Sequence, residues 1–304
     1  MKKVIVVGSL NMDLAIKVDK IPNEGETIHG HEFLMNNGGK GGNQAIAAVR
    51  SGANTLFIGS VGRDSFGNTI LESLKSNGVN VDSMEIQENE STGLAMIICH
   101  NKDNRIILNP GANFSLSYSF AKDKLSKLAQ EGDYFVTQFE NDFDTTLQLL
   151  EYAKSIGMKT ILNPAPAKVF PDEFYKYIDI LVLNQSECEI LTHIYPKTIE
   201  ECERVGQILR SKGTENVVIT LGEIGSVTIT DKEIIKVNAY KVEVVDSTAA
   251  GDSFIGAMAA QLSFGYSLKE ALEYATKASA ITVTRKGAQI SIPSSEEINK
   301  FFQR

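Results

Sequence analysis

The sequence has few cysteines and no long apolar run, and each shortage argues against a class of protein. Cys99, Cys188 and Cys202 are an odd number without a Cys-x-x-Cys pair. This pattern disfavours a disulfide framework or a cysteine-based zinc site, and it favours a reducing, cytoplasmic setting. No stretch approaches the roughly 18 apolar residues of a membrane helix. The apolar run after Lys2 and Lys3 is too short for a signal-peptide core. No membrane partner is therefore expected.

Positive charge is also in short supply. The chain has 30 Lys and Arg residues against 38 Asp and Glu residues, a net charge of -8. Such a chain repels polyphosphate backbones, so nucleic acid is not an expected partner, although a local pocket for one nucleotide stays compatible. With 304 residues, 42% of them apolar, and no linker-like segment, residues 1–304 are predicted to form a single domain with a full core.

Short apolar runs alternate with amphipathic stretches along the chain. The predicted buried strands are 4–7, 56–58, 134–136, 160–162, 180–183 and 217–220. The predicted helices are 43–50, 66–76, 145–156, 199–212, 253–263 and 268–284. Alternating strands and helices indicate an α/β fold with a mostly parallel central sheet and helices on both faces.

Two regions depart from this alternation. Residues 14–35 and 91–108 alternate apolar and polar side chains, which is typical of strands with one exposed face. They predict a small second sheet that acts as a lid, and extra edge strands on the main sheet are the alternative.

Polar residues follow the predicted buried strands. They are Asn11, Asp13, Glu140, Asn163, Asn184, Glu187 and Thr220. Open α/β sheets bind ligands beyond the carboxyl ends of their strands, so these side chains predict a site there. Taken singly, each is more often a turn or helix-cap residue.

The segment 246–252 carries the strongest chemical signal. It reads Asp-Ser-Thr-Ala-Ala-Gly-Asp and precedes a predicted helix. The free N–H groups at a helix start form an anion site, as phosphoryl transfer requires. Asp252 at this turn can take a proton from an attacking hydroxyl. The competing interpretation, an N-cap, is weakened by the second carboxylate at Asp246.

A second segment, 37–44, reads Asn-Gly-Gly-Lys-Gly-Gly-Asn-Gln. Its glycines allow close approach of the backbone to a ligand, and Lys40 and Asn43 offer donors. It is not a dinucleotide fingerprint, because Gln44 stands where a glycine is needed and no predicted strand immediately precedes it. It is not a P-loop either, because Lys40 is followed by Gly41 instead of Ser or Thr. A flexible glycine-rich loop is the alternative.

Together these segments resemble the sugar kinases of the ribokinase family, the PfkB-type carbohydrate kinases. The family has Gly-Gly-x-Gly-x-Asn early and Asp-x-Ser/Thr-small-Ala-Gly-Asp late, and both occur here. The resemblance runs along essentially the whole chain, through the ribokinase-like segments 8–13, 137–140, 163–167 and 283–289.

The resemblance implies ATP-dependent phosphorylation of the 5-hydroxyl of D-ribose. Asp252 would be the base, and the N–H groups of Ala249, Ala250 and Gly251 would hold the phosphoryl oxygens. The family's sugar-binding positions match Asn11, Asp13, Gly39, Lys40, Asn43, Glu140 and Asp252. It further implies a homodimer formed through the lid sheets.

The resemblance also implies the cofactors ATP, Mg²⁺ and K⁺. The ATP-binding positions match Asn184, Glu187, Thr220, Gly222, Gly225, Gly251 and Thr276, with Asn184 and Glu187 positioning Mg²⁺. The K⁺ positions match Asp246, Thr248, Thr282, Arg285, Gly287 and Ser291, several of them through backbone carbonyls. Two residues depart from the family: Ser247 often aligns with Thr, and Glu223 adds a negative charge near the nucleotide.

Three alternatives stay open at this point. A kinase for 2-deoxyribose, fructose or adenosine would share the framework. A non-catalytic sugar or nucleotide sensor would be favoured by loss of Asp252 or Lys40, and both are present. A dinucleotide-dependent dehydrogenase lacks the glycine fingerprint after the first strand.

Overall fold

A computed structural model describes residues 1–101 and 103–301. Within these ranges the strands are β1 Lys3–Val7, β2 Asn11–Val18, β3 Gly30–Gly38, β4 Asn54–Gly62, β5 Asn80–Gln87, β6 Gly93–His100, β7 Asp103–Asn109, β8 Tyr134–Gln138, β9 Lys159–Asn163, β10 Ile180–Asn184, β11 Asn216–Thr220, β12 Gly225–Ile229 and β13 Ile234–Asn238. The α-helices are α1 Lys40–Arg50, α2 Ser65–Ser76, α3 Tyr118–Leu128, α4 Phe143–Ser155, α5 Gln185–Thr192, α6 Ile199–Ser211, α7 Ala250–Ser263, α8 Leu268–Thr282 and α9 Ser295–Phe301. None of the described helices is long and apolar enough to span a bilayer.

The larger sheet has the strand order β13-β12-β11-β10-β9-β8-β1-β4-β5. Every neighbouring pair from β11 to β5 is parallel. The hairpin β12–β13 joins antiparallel at the β11 edge. The predicted α/β fold with a mostly parallel sheet is confirmed.

Side chains alternate between the two faces of this sheet, and each face packs a separate layer of helices. In β1, Val4 and Val6 belong to a core formed with α1, α2, α7, α8 and α9. Ile5 and Val7 belong to a core formed with α3, α4, α5 and α6. Because successive strand residues point to opposite faces, a fully apolar strand buries both sides at once.

The smaller sheet has the order β3-β2-β6-β7 and is separate from the larger one, as predicted. Its limits differ from the expected ones. The segment 14–35 forms two strands with residues 19–29 between them, and β2 starts at Asn11. The segment 91–108 forms β6 and β7, and Lys102 between them lies outside the described residues, as do residues 302–304 of the predicted domain.

Two helices begin earlier than the sequence pattern predicts. Helix α1 starts at Lys40, and only Gly39 separates it from the end of β3. The expectation that no strand immediately precedes the glycine-rich segment is therefore wrong. Since β3 is an antiparallel member of the small sheet, the segment still differs from a dinucleotide-binding unit. Helix α7 starts at Ala250, which places Asp252 inside its first turn rather than before it.

Candidate active site

The carboxyl ends of four adjacent parallel strands bring the predicted polar residues together. Asn163 at the end of β9 pairs in register with Gln138 at the end of β8. Asn184 at the end of β10 pairs with Thr220 at the end of β11. Glu140 is the second residue after the end of β8. The expected convergence beyond these strand ends is therefore present in the structure.

Asp252 lies at the centre of this arrangement. Its side chain is 8% exposed and accepts two hydrogen bonds, from Asn43 Nδ2 at 2.9 Å and from Gln44 Nε2 at 3.0 Å. The segments 37–44 and 246–252 thus meet at Asp252, although more than 200 residues separate Asn43 from Asp252 in the chain. Gln44 was not among the predicted site residues, and its position beside Asn43 was the only available signal.

Glu140 fixes the start of helix α1. Its Oε2 accepts a hydrogen bond from the backbone N–H of Lys40 at 3.0 Å and from Ser9 Oγ at 2.5 Å. The carboxylate therefore caps the helix and lies on its positive end. Ser9 was missed by sequence reasoning.

Charge in the site is dominated by carboxylates. Burial alone would lower the pKa of Lys40, but the negative charges of Asp252, Glu140 and Glu187 outweigh it and raise this pKa. Burial, followed by repulsion from Glu140 and Asp252, raises the pKa of Asp13 to about 7. Asp13 is thus an acid that changes its charge near neutral pH.

Asn11 and Gly39 complete the sugar-side set. Asn11 Oδ1 accepts a hydrogen bond from Asn113 Nδ2 at 2.8 Å, a partner that the sequence pattern did not indicate. Gly39 has a φ of 86°, and a Cβ there would lie 2.8 Å from Ser9 O and Asn11 N. Only glycine fits this turn between β3 and α1.

The predicted anion turn has a specific backbone geometry. Ala249 precedes α7 in the left-handed conformation, with φ 60° and ψ 10°. The N–H of Ala250 donates to the carbonyl of Ser247 at 3.2 Å, so it is partly used within the turn. Among the described residues no acceptor is found for the N–H groups of Ala249 and Gly251, so both remain available as donors.

Two adjoining cavities surround this turn. The smaller, about 210 Å³, is lined by predicted site residues from both halves of the chain, among them Lys40, Asn184, Glu187, Thr220, Ala249, Ala250, Gly251 and Asp252. The larger, about 720 Å³, is lined among others by Thr220, Gly222, Glu223, Gly225, Gly251 and Thr276. Thr220, Ser247, Ala250 and Gly251 line both cavities, which therefore lie on either side of the same residues.

Asn184 and Glu187 form the helix cap that sequence reasoning named as the alternative to a metal-positioning role. The Asn184 side chain accepts from the Glu187 N–H at 2.8 Å, and Glu187 Oε2 accepts from the Asn184 N–H at 2.8 Å. Both residues also line the smaller cavity. Burial is the main cause that raises the pKa of Glu187, so its carboxylate is poorly solvated and suited to interact with a cation.

Of the predicted monovalent-cation residues, Thr248 and Gly287 contact Asp246 directly. Its carboxylate accepts from the N–H and Oγ1 of Thr248 at 2.9 and 2.6 Å and from the N–H of Gly287 at 2.9 Å. These bonds lower the pKa of Asp246, although burial alone would raise it. The backbone N–H of Arg285 donates to the Thr282 carbonyl at 3.1 Å, which joins two further members of the set.

Three side chains of this set are already used elsewhere. The Arg285 guanidinium pairs with Glu297 at 2.7 Å. Thr282 Oγ1 bonds to Ser253 Oγ at 2.9 Å, and Ser291 Oγ bonds to the Ala288 carbonyl at 2.7 Å. Arg285 can therefore offer a cation only its backbone carbonyl, whereas the hydroxyl oxygens of Thr282 and Ser291 keep lone pairs besides their carbonyls.

Comparisons with known proteins identify the family of the chain. Residues 1–295 match the model of the pfkB family carbohydrate kinases. A ribokinase of Schizosaccharomyces pombe is 40% identical over 99% of this chain and 98% of its own. A deoxyribokinase of Salmonella typhi is 34% identical over 98% of both chains. The structure of Arabidopsis thaliana ribokinase complexed with ribose and ATP covers 100% of this chain and 99% of its own, with a TM-score of 0.91 and 29% identity. The chain belongs to the pfkB family of carbohydrate kinases.

Proposed function

We propose that this protein is an ATP-dependent kinase that transfers the γ-phosphoryl group to the 5-hydroxyl of D-ribose. One observation carries the proposal: Asp252 contacts the sugar-side residue Asn43 and lines the same small cavity as the anion turn. A base placed between an acceptor site and an anion site is the arrangement that phosphoryl transfer to an alcohol requires. The likeness to a ribokinase solved with ribose and ATP supports the same pair of substrates.

The sugar site suits a small polyol. Ionised Asp13 and Glu140 accept hydrogen bonds from hydroxyl groups, while Asn11, Asn43 and the Lys40 ammonium donate them. Lys40 also offsets part of the negative charge that surrounds it. The glycine backbone at position 39 allows close approach of the ligand, because no side chain projects from the turn.

The transfer step follows from the position of Asp252. Its carboxylate takes the proton of the attacking hydroxyl, the sugar oxygen forms a bond to the γ-phosphorus, and the bond from that phosphorus to the ADP oxygen breaks. The N–H groups of Ala249 and Gly251 and the positive end of α7 stabilise the charge on the transferring phosphoryl oxygens. The products are ribose 5-phosphate and ADP.

The nucleotide and cation positions are proposed from the same geometry. ATP occupies the larger cavity, with its adenine near Thr276 and its phosphates near Thr220, Gly222 and Gly225. Glu187 and Asn184 would hold Mg²⁺ through water, since this ion favours oxygen ligands and keeps several waters. A bound Mg²⁺ neutralises phosphate charge during transfer.

A monovalent ion such as K⁺ would lie beside Asp246. The structure supports this because the lowered pKa of Asp246 keeps its carboxylate negative. Further oxygen atoms would come from Thr248, Thr282, Arg285, Gly287 and Ser291. Oxygen ligands suit such a hard cation.

We further propose that the small sheet acts as a lid and pairs with a second copy of the chain. It carries exposed apolar side chains on β3, β6 and β7, among them Leu34, Met35, Met96, Ile106 and Ile107. A patch of this kind on a single sheet marks an interaction surface. A single domain in a reducing cytoplasm fits the rest of the proposal, and the three cysteines are free thiols.

The test is ADP release with MgATP and K⁺ across ribose, 2-deoxyribose, fructose and adenosine. The expected result is turnover that depends on ribose and falls when a large organic cation replaces K⁺. The deoxyribokinase relative makes 2-deoxyribose the second candidate acceptor. A higher kcat/KM for 2-deoxyribose would overturn ribose as the substrate, and no turnover with any acceptor would overturn the kinase assignment.

A further inference from the structure

Asp252 is held by two buried glutamine side chains to which the proposed reaction assigns no role. Gln44 Nε2 donates to Asp252 Oδ1 at 3.0 Å, and Gln138 Nε2 donates to Gln44 Oε1 at 2.7 Å. Gln44 is 0% exposed and Gln138 is 1% exposed. Gln44 lies in α1, and Gln138 is the last residue of β8. The pair therefore connects the central sheet to the first turn of α7.

The direction of this hydrogen-bond chain follows from the charge at its end. An ionised carboxylate can only accept hydrogen bonds, so Gln44 must turn its amide N–H toward Asp252 and its carbonyl toward Gln138. Gln138 must then present its own N–H to that carbonyl. Both contacts have this polarity. The chain thus matches an Asp252 carboxylate that accepts a hydrogen bond from Gln44.

The two donors also fix the plane of the carboxylate. Asn43 occupies Oδ2 and Gln44 occupies Oδ1, which leaves the remaining lone pairs for the acceptor hydroxyl. Asn43 is one of the proposed sugar ligands, so its bond is exposed to exchange with a hydroxyl. Gln44 is fully buried. Among the described residues, Asp252 lines the small cavity and Gln44 does not. The hydrogen bond from Gln44 is therefore the one that Asp252 keeps when a sugar binds.

The packing around Gln138 supports a dedicated arrangement. A Cβ built on Gly8 would lie 2.2 Å from Gln138 Oε1. Glycine at this position leaves the space that the amide occupies, and β1 passes directly beside β8 at this level. The absence of a side chain at Gly8 therefore lets the Gln138 amide lie close to the backbone of Gly8.

We infer that Gln44, supported by Gln138, is a positioning residue that orients the Asp252 carboxylate for proton transfer. This inference rests on the proposed kinase function. Gln44 acts through the base and does not touch either substrate. Its removal should therefore slow the chemical step and change its pH dependence while sugar and nucleotide binding remain.

The first test is Gln44→Leu in the full-length protein. The single-turnover rate with ribose is expected to fall about 10- to 100-fold, because a hydrogen bond to a charged group is commonly worth one to two factors of ten. The KM for ribose should change less than about twofold, since uniform binding is retained. The acid limb of the pH–rate profile should move to higher pH, because the carboxylate loses a donor that favours its charged form.

A conservative variant separates orientation from packing. In Gln44→Glu the new carboxyl is buried beside Asp252 and is expected to stay protonated, so it can still donate. Part of the lost rate should return relative to Gln44→Leu, most clearly at low pH. Gln261→Leu is the matched control, since Gln261 is also a buried glutamine but lies near the end of α7; its pH–rate profile should equal that of the unaltered protein.

An unchanged single-turnover rate and pH profile in folded Gln44→Leu would overturn the inference. If that variant does not fold, as judged by circular dichroism and ATP binding, Gln138→Leu replaces it. A smaller loss with the same direction of pH shift is expected there, and a folded Gln138→Leu without the shift would overturn the inference equally. Failure of the kinase proposal is distinguishable, because the unaltered protein would then show no sugar-dependent turnover.

Discussion

Replacing Asp13 by asparagine should stabilise the protein at high pH and weaken sugar binding at the same time. Asp13 lies in β2 against the backbone of Gly38, where a Cβ would approach Asp13 Oδ2 to 2.2 Å. Burial and then the charges of Glu140 and Asp252 raise its pKa from 3.8 to about 7. An acid that must ionise in this setting destabilises the empty site.

The magnitude follows from the pKa difference between the folded and the unfolded chain. Between about pH 4 and pH 7 the folded protein keeps a proton that the unfolded chain has released, so this group's contribution to stability falls as pH rises through that window. At 1.36 kcal/mol per pKa unit, the destabilisation by Asp13 is about 1.5 kcal/mol at pH 5 and about 4 kcal/mol at pH 8. Because asparagine carries no charge, the stability gap between Asp13→Asn and the unaltered protein should widen by about 2.5 kcal/mol from pH 5 to pH 8.

Urea unfolding at both pH values measures this gap. For a chain of this size the denaturation midpoint of Asp13→Asn should gain about 1 M relative to the unaltered protein between pH 5 and pH 8. Asp19→Asn, an exposed acid just beyond β2, is the control and should show no such gain. The KM for ribose should rise at least about tenfold in Asp13→Asn, since the hydroxyls lose a charged acceptor. A stability gap that is equal at both pH values would refute the reasoning.

Four further outcomes are expected. Asp252→Asn should lower kcat by at least about 100-fold with ribose and ATP binding retained, because only proton transfer is lost. Glu187→Gln should raise the Mg²⁺ concentration needed for half-maximal rate about tenfold, with little loss of stability because the amide oxygen still accepts the cap bond. Ala249→Gly should change the free energy of unfolding by less than about 1 kcal/mol, since relief of the left-handed strain is offset by chain entropy, whereas Ala249→Val should lose activity. Leu34→Glu on the small sheet should shift a dimer toward monomer in sedimentation.

For each of these variants, one result would contradict the proposed role of that residue and leave the other roles untouched. Near-normal turnover of Asp252→Asn would remove it as the base. An unaltered Mg²⁺ dependence in Glu187→Gln would leave that residue with its capping role only. Full activity of Ala249→Val would show that the backbone conformation at this turn does not matter. A monomer for the unaltered protein at micromolar concentration would contradict the proposed pairing of small sheets.

The parallel strands of the core were predictable because they are short, almost wholly apolar runs. Strands β5, β12 and β13 were not predicted. The burial of β5 and β13 is partial, and their mixed composition gives a weaker pattern than a buried strand does. Helix α3 was missed for a similar reason, since Ala121 and Leu125 are its only buried residues among those described.

The predicted start of helix α1 was wrong for a different physical reason. Residues 40–42 read Lys-Gly-Gly, and each glycine disfavours a helix by about 1 kcal/mol. The structure compensates through residues distant in sequence: Glu140 accepts the Lys40 N–H, and the Ser9 carbonyl accepts the Gly42 N–H at 3.0 Å. Local helix propensity cannot predict a cap that is supplied by residues distant in sequence. The same limit applies to Gln44, which the sequence pattern marked only as a departure from a dinucleotide motif.

The distribution of the site along the chain has a consequence for engineering. Every residue that lines the larger cavity lies between 220 and 283, whereas the proposed sugar ligands other than Asp252 all lie at or before Glu140. The residues proposed to select the sugar and those proposed to select the nucleotide thus lie in different halves of the chain, except for Asp252. Exchanging the first half between relatives should transplant the sugar preference without rebuilding the nucleotide cavity, provided that the contacts to Asp252 are kept.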